Sequence, residues 1–285
     1  MEPRFQLGLV CTVGVGPTRG GRPSNQDNYL VCRAGTARWR SGNEEQVHAA
    51  PDRPELLIAV ADGMGGHEDG EIAAEAAVGA LSRFYGLSIQ GDPEAELRSF
   101  VLEAHGRVRQ RVREGGDVRM GTTLTAVWIV GDRAYWTHVG DSRLYHWRRG
   151  RITQITHDQT REAFAVRDGR AIPTLPGHLA QNFIFGSRGL GDDGAVRIDR
   201  GIDTGALSLR PGDRLLLSSD GLHGHLTEAQ IADALTQVPA PQACAVTLGE
   251  RAIAYESDDN ITAIVLSVDG TGSARLRDQD TIVPE

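Results

Sequence analysis

The sequence predicts an α+β domain in which two antiparallel sheets pack face to face with helices outside. Three observations predict it. Two groups of short β-branched or aromatic runs are broken by glycine-containing turns. Helical patterns flank both groups, and no linker or internal repeat divides the chain. With 285 residues, the chain is long enough to bury a sizeable core as one domain, spanning 1–268. The remaining residues, 269–285, are polar and unpatterned and are expected to form a disordered tail.

In order, residues 5–13 form the first strand, followed by a Gly-, Pro- and Asn-rich loop and a short strand at 29–32. Residues 34–54 carry no periodicity and are expected to be an exposed hairpin connection or loop. The run Leu56-Leu57-Ile58-Ala59-Val60 then reads as a buried strand that stops at Asp62-Gly63. The glycines from Gly63 to Gly66 let the backbone turn sharply, bringing its carbonyls close to whatever the carboxylate holds. A helix over about 70–85 follows.

A second helix opens with Asp92 as N-cap and Pro93 at the first position, and keeps one apolar face through Leu97, Val101, Ala104, Val108 and Val112. Residues 122–130, 133–139, 143–147 and 152–155 read as an antiparallel meander. Residues 156–194 are irregular, and a loop this long in a compact domain suggests function. Strands are expected at 196–202 and 214–219. Thr227 to Gln230 form a capping box for a short helix through Leu235, a further helix spans about 241–255, and the last strand runs 261–268.

A net charge of −8 argues against a nucleic-acid partner, which needs a basic face. Cys11, Cys32 and Cys244 are far apart, odd in number and without metal spacing, which points to a reducing, cytoplasmic setting. Neither a signal peptide nor a membrane span is expected from the apolar runs.

Four carboxylates mark strand edges. Asp62, Asp141 and Asp220 follow or end strands, each beside a glycine, and Asp259 precedes one. One Asp-Gly pair is usually only a turn. Four around one core suit Mg²⁺ or Mn²⁺, and carboxylates converging from separate elements could hold two ions roughly 3.5–4 Å apart.

Six segments then carry a resemblance: Arg22-Pro23-Ser24-Asn25-Gln26-Asp27, Ala61-Asp62-Gly63-Met64-Gly65-Gly66-His67, Met120-Gly121-Thr122-Thr123, Val139-Gly140-Asp141-Ser142-Arg143, Ser219-Asp220-Gly221-Leu222 and Asp259-Asn260-Ile261-Thr262. In order and spacing they resemble the motif series of the type-2C, metal-dependent protein serine/threonine phosphatases, bacterial branch. The resemblance runs from about residue 5 to 268 and implies an α/β/β/α sandwich.

By position, Asp62 resembles the ligand bridging both ions, with the Gly63 carbonyl on the second. Asp220 and Asp259 resemble the other ligands of the first ion, and Asp141 with Asp220 resembles the site of a third, looser ion. Arg22 resembles the arginine that grips the substrate phosphate, for which a guanidinium fork is well shaped. Asp27 resembles the residue ordering metal-bound water, a network that Gln26 and Asn260 would share. The implied mechanism is direct attack of a metal-bridging hydroxide on phosphoserine or phosphothreonine, with no phosphoenzyme. The implied partners are phosphoprotein substrates, a serine/threonine kinase and its targets. A monomer is expected.

Two departures stand out. A histidine proposed as general acid in eukaryotic members is Met64 here, and a thioether cannot donate a proton; His67 and metal-bound water are the alternatives. Gln26 replaces an acidic residue, which removes one negative charge near the second ion. Residues 156–194, with His157-Asp158-Gln159-Thr160 and Gly186 to Gly191, fall where the family has its flap. Two other classes compete: a phosphoprotein-binding module of the same fold without activity, and a two-metal nuclease. Retention of Asp62, Asp220, Asp259 and Arg22 opposes the first; the acidic charge and 5% aromatic content oppose the second. In the tail, Thr281 among acids reads either as a modification site or simply as part of a disordered end.

Overall fold

A computed structural model describes residues 4–64, 69–87, 91–114, 120–159, 184–185 and 201–269. The first half contains β1 (Arg4–Thr12), a 3-10 turn (Pro17–Arg19), β2 (Asp27–Arg33), β3 (Thr36–Ser41), β4 (Glu44–Ala49), β5 (Leu56–Met64), α1 (Asp69–Gly86) and α2 (Pro93–Arg113). Next come β6 (Gly121–Thr122), β7 (Leu124–Val130), β8 (Arg133–Val139), β9 (Arg143–Arg148), β10 (Arg151–Gln154) and β11 (Ile184–Phe185). The chain continues with β12 (Asp203–Ser208), β13 (Arg214–Ser218), α3 (Asp220–His223), α4 (Glu228–Gln237), α5 (Pro241–Ala254) and β14 (Ile261–Asp269).

The strands form two antiparallel sheets. One runs β1-β14-β13-β9-β10. The larger runs β12-β8-β7-β5-β2-β3-β4, with β6 pairing β5 and β11 pairing β6. Side-chain alternation along β5 explains the layering. Leu57, Ala59 and Ala61 face a core shared with Ala73, Ala77, Leu81 and Phe84 of α1 and Leu97, Val101 and Ala104 of α2. Leu56, Ile58 and Val60 face the inter-sheet core, with Leu7, Leu9, Leu215, Leu217, Ile264 and Leu266 of the smaller sheet. That sheet's other face, through Val10, Leu216, Ala263 and Val265, packs on Ile231 and Leu235 of α4 and Cys244 and Leu248 of α5. Because both faces of β5 are covered, its sequence reads as a continuous apolar run. The result is the expected four-layer α/β/β/α sandwich. Each fully buried leucine, isoleucine or valine contributes about 1.5–3 kcal/mol from water exclusion.

Capping matches the sequence reading. The Asp92 carboxylate accepts from the Ala95 amide (3.3 Å), and Thr227 and Gln230 form a reciprocal capping box.

Four readings change. Residues 34–54 contain the β3–β4 hairpin, which forms the edge of the larger sheet; β4 is mostly exposed, so no apolar alternation announced it. The four strands from 122 to 155 are not one meander, because β8 belongs to the larger sheet and β9 to the smaller. The Gly140-Asp141-Ser142 turn carries the chain between sheets, and Gly140 does so at φ +109°. The strand expected at 196–202 does not include Gly201 and Ile202, the described strand there being Asp203–Ser208, and 196–200 lie outside the described residues. Asp220 opens a one-turn helix rather than a simple turn. His67, the Gly186 to Gly191 segment and Thr281 also lie outside the described residues, as does the tail from 270 on.

Among the described residues no helix is long and apolar enough to cross a membrane. The three cysteines are buried and unpaired.

Candidate metal centre

One end of the sandwich collects the acidic residues. Antiparallel pairing sets Asp27, at the start of β2, directly opposite Asp62 near the end of β5. In the smaller sheet β13 ends where β14 begins, with Ser218 opposite Ala263, so Asp220 and Asp259 flank the same edge. Ser218 is also opposite Arg143 at the start of β9, which brings in the preceding Asp141.

Backbone and hydroxyl groups hold these residues in place. The Asp62 amide donates to Thr123 Oγ1 (2.9 Å), and the Asp62 carbonyl accepts from the Thr123 amide (2.9 Å) and Thr122 Oγ1 (3.0 Å). Thr123 Oγ1 in turn lies 2.7 Å from Ser142 Oγ, beside Asp141. Asp27 Oδ2 accepts from Ser219 Oγ (2.6 Å) and Thr262 Oγ1 (2.7 Å). Buried Arg40 donates to the Asp27 carbonyl at 3.2 Å. The Gln26 amide donates to Asn260 Oδ1 (2.8 Å), and the Gly63 amide to the Gln26 carbonyl (3.2 Å).

Two glycines are required by close backbone approach. A Cβ on Gly63 would sit 2.1 Å from the Gly70 carbonyl oxygen, and one on Gly221 would sit 2.0 Å from that of Asn260. Arg22 stands at the mouth, half-exposed, with its fork on the Asp259 carboxylate.

Burial is the main electrostatic influence. It pushes Asp27 up to about 7 against its two hydroxyl donors, with the charges of Asp259 and Asp220 adding to the rise. Asp62 is raised well above the ordinary carboxylate value by burial and then by Asp27, Asp220, Asp141 and Asp259. Asp141 is raised to about 7 by burial, Asp220 and Asp158. Asp220 is raised by burial and by Asp259. Carboxylates that raise one another in this way are stabilised in their charged form by a cation.

Two of their buried oxygens, Asp27 Oδ1 and Asp220 Oδ1, have no hydrogen-bond partner. An all-oxygen donor set with such orphaned atoms fits a hard divalent cation. Among the described residues no three acidic, His or Cys side chains form a closed ion cage on their own. Arg22 occupies both oxygens of Asp259, and Ser219 and Thr262 share Asp27 Oδ2.

The structure thus brings together Asp27, Asp62, Asp141, Asp220 and Asp259, with Arg22, Gln26, Gly63 and Asn260 around them. Met64 ends β5, paired with Gly121, and exposed His157 contributes its carbonyl to His138 Nε2 (3.1 Å). The sequence alone assigns no role to Thr123, Ser142, Ser219 or Thr262, of which Ser219 and Thr262 bond the Asp27 carboxylate and Thr123 and Ser142 brace the Asp62 backbone. All four lie inside the quoted motifs, and two of them, Ser142 and Ser219, directly adjoin Asp141 and Asp220.

A family description, Protein phosphatase 2C, matches residues 34–254. The serine/threonine protein phosphatase PstP of Mycobacterium tuberculosis is 34% identical over 230 residues, which is 80% of this chain and 43% of PstP. The chain therefore spans less than half the length of that relative. The serine/threonine phosphatase stp of Listeria monocytogenes is 30% identical over 255 residues, covering 87% of this chain and 98% of stp. The crystal structure of the PstP catalytic domain in complex with two manganese ions superposes with a TM-score of 0.70 at 30% identity, over 93% of this chain and 99% of that one. The family match spans most of the sequence, and the chain belongs to the protein phosphatase 2C family.

Proposed function

We propose that this chain is a metal-dependent protein serine/threonine phosphatase that removes phosphate from phosphoserine and phosphothreonine by direct attack of water. The observation that carries the reading is the set of five buried or half-buried aspartates at one end of the sandwich, with orphaned oxygens on Asp27 and Asp220 and an arginine at the mouth. The bacterial phosphatases PstP and stp support it.

Asp62, the Gly63 carbonyl, Asp220 and Asp259 would hold two ions, and Asp141 with Asp220 a third; manganese or magnesium suits this oxygen set. When bound, the ions supply an activated water and offset charge on the phosphoryl oxygens. Arg22 supplies a fork that grips the substrate phosphate. Asp27, Gln26 and Asn260 orient water beside the carboxylates, and the Asp27 carboxylate is itself fixed by Ser219 and Thr262. Met64 carries no transferable proton, so the leaving oxygen takes its proton from another group.

Phosphoprotein substrates, a serine/threonine kinase among them, are the proposed partners of a cytoplasmic monomer. Hydrolysis of a phosphothreonine peptide and of single-stranded DNA, each with Mn²⁺ and with EDTA, tests the reading. Metal-dependent turnover of the peptide alone supports it. Turnover of the DNA, or of neither by folded protein, overturns it.

A further inference from the structure

Gln159 is 4% exposed and uses every hydrogen-bonding group of its side-chain amide as well as its backbone N–H. Its backbone amide donates to the Gly140 carbonyl (2.8 Å), and its Oε1 accepts from the Gly140 amide (2.9 Å). Both backbone groups of Gly140 are therefore held by one residue. The two protons on Nε2 go to the Gly201 carbonyl (2.7 Å) and to Asp203 Oδ2 (3.1 Å). One acceptor and two donors at that reach are what a glutamine offers and no shorter or charged side chain does.

What Gln159 clasps is the turn that carries Asp141. Gly140 has a φ of +109°, and a Cβ there would lie 2.6 Å from Thr123 Cγ2. The turn is thus pressed against Thr123, whose hydroxyl binds the Asp62 amide and approaches Ser142. A continuous set of bonds joins Asp203, at the start of β12, through Gln159 and the Gly140 turn to the backbone of Asp62.

The neighbouring residues reinforce the clasp. Arg143 forks onto Asp158 at 2.8 and 2.7 Å, and His138 Nε2 reaches the His157 carbonyl at 3.1 Å. Residues 157–159 are therefore tied, one after another, to the segment 138–143.

We infer that Gln159 is a positioning residue: it fixes the Gly140–Asp141 turn so that the Asp141 carboxylate stays aimed at the ion site it shares with Asp220. The inference rests on the proposed phosphatase reading, which assigns Asp141 to a third ion. Loss of a purely structural glutamine would lower thermal stability and leave ion binding unchanged. Loss of a positioning glutamine weakens the Asp141 ion selectively, by about tenfold, as for other groups that orient a ligand without touching the metal.

The test is calorimetric Mn²⁺ binding to the full chain, for wild type, Asp141→Asn, Gln159→Ala, Gln159→Glu and the double variant Gln159→Glu/Asp203→Asn. Wild type is expected to bind two ions tightly and one weakly, and Asp141→Asn to lose the weak one. Gln159→Ala should weaken that site about tenfold and spare the tight ones. Gln159→Glu keeps an acceptor for the Gly140 amide but sets a carboxylate against Asp203, and should weaken the site despite its added negative charge. Restoring a donor with Asp203→Asn should recover most of the loss, and this pair decides the matter if Gln159→Ala does not fold. Weak-site binding unchanged in both Gln159 variants overturns the inference and leaves the phosphatase reading standing. No weak ion in wild type, or equal binding by Asp141→Asn, overturns the inference through the role given to Asp141.

Discussion

Arg22 lays its guanidinium on Asp259 in a two-point fork, Nε to Oδ1 at 2.8 Å and Nη2 to Oδ2 at 2.7 Å, across 237 residues of sequence. The backbone supports the meeting, since the Arg22 amide donates to the Asp258 carbonyl at 3.1 Å. The group proposed to grip phosphate is thus held by a proposed ion ligand. In the proposed reading Asp259 would exchange this fork for an ion, leaving the Arg22 guanidinium for the substrate phosphate.

Replacing Arg22 with alanine should therefore separate two effects. The pair is half-exposed on the arginine side, so its worth to stability is below about 1 kcal/mol. Phosphopeptide kcat/KM should fall roughly 100-fold, the scale of losing one charged donor to a reacting oxyanion. Mn²⁺ affinity should stay equal or rise, because Asp259 no longer has to release a guanidinium. Steady-state kinetics and calorimetry check the two halves, and weakened metal binding would contradict the competition.

Asp27 depends on two hydroxyls from the other sheet, and removing either leaves a buried carboxylate short of a donor. Ser219→Ala and Thr262→Val should each cost about 1–3 kcal/mol. Because both hydroxyls serve Asp27 Oδ2, the double variant should deviate from additivity by at least 0.5 kcal/mol. Urea denaturation of the four proteins measures this coupling.

Glycine substitutions give a contrast in sign. Gly221→Ala puts a methyl 2.0 Å from the Asn260 carbonyl oxygen, in the backbone next to Asp220. The expected loss is about 3 kcal/mol, or roughly 6–12 °C in Tm. Gly79→Ala, inside α1 with nothing within 4 Å of the new methyl, should instead stabilise by about 0.5–1 kcal/mol. Thermal melts of both variants check the pair.

A buried histidine gives the protein an acid-sensitive component. His138 Nε2 faces the His157 carbonyl, which only accepts, so the neutral ring is assigned a proton on Nε2, and Nδ1 accepts from Thr125 Oγ1 at 2.9 Å. Burial pushes its pKa down to about 4, although Asp203, Asp158 and the backbone carbonyls of His157 and Gly140 pull it up. Unfolded, the group titrates near 6.5. The folded state then binds fewer protons below that value, so the contribution is present above about pH 6.5 and is lost as pH falls toward 4. Between pH 7 and 5 the loss from this group is about 2 kcal/mol. In His138→Gln the drop in unfolding free energy over that interval should be smaller by this amount.

How far the sequence was legible follows from where each signal lies. β5 was readable because both its faces are buried, and its end was readable because Asp62-Gly63 breaks an apolar run. The Asp92 and Thr227 caps were readable because capping is local. The β3–β4 hairpin was not, since its half-exposed residues show no apolar period. The change of sheet at Gly140 was not either, because a turn between strands looks the same whether its strands pair or part. Ser219 and Thr262 serve Asp27 across 192 and 235 residues, and no local pattern encodes such a distance. The aspartates themselves were visible, each set beside a glycine or asparagine at a strand edge.

The most direct measurement is hydrolysis of a phosphothreonine peptide with EDTA, Mg²⁺ or Mn²⁺, for wild type beside Asp220→Asn, with circular dichroism to establish that both are folded. The expected result is turnover that requires added metal and collapses in the variant. Turnover undiminished by EDTA or by Asp220→Asn, or none from folded wild type with either metal, would contradict a phosphatase built on these carboxylates.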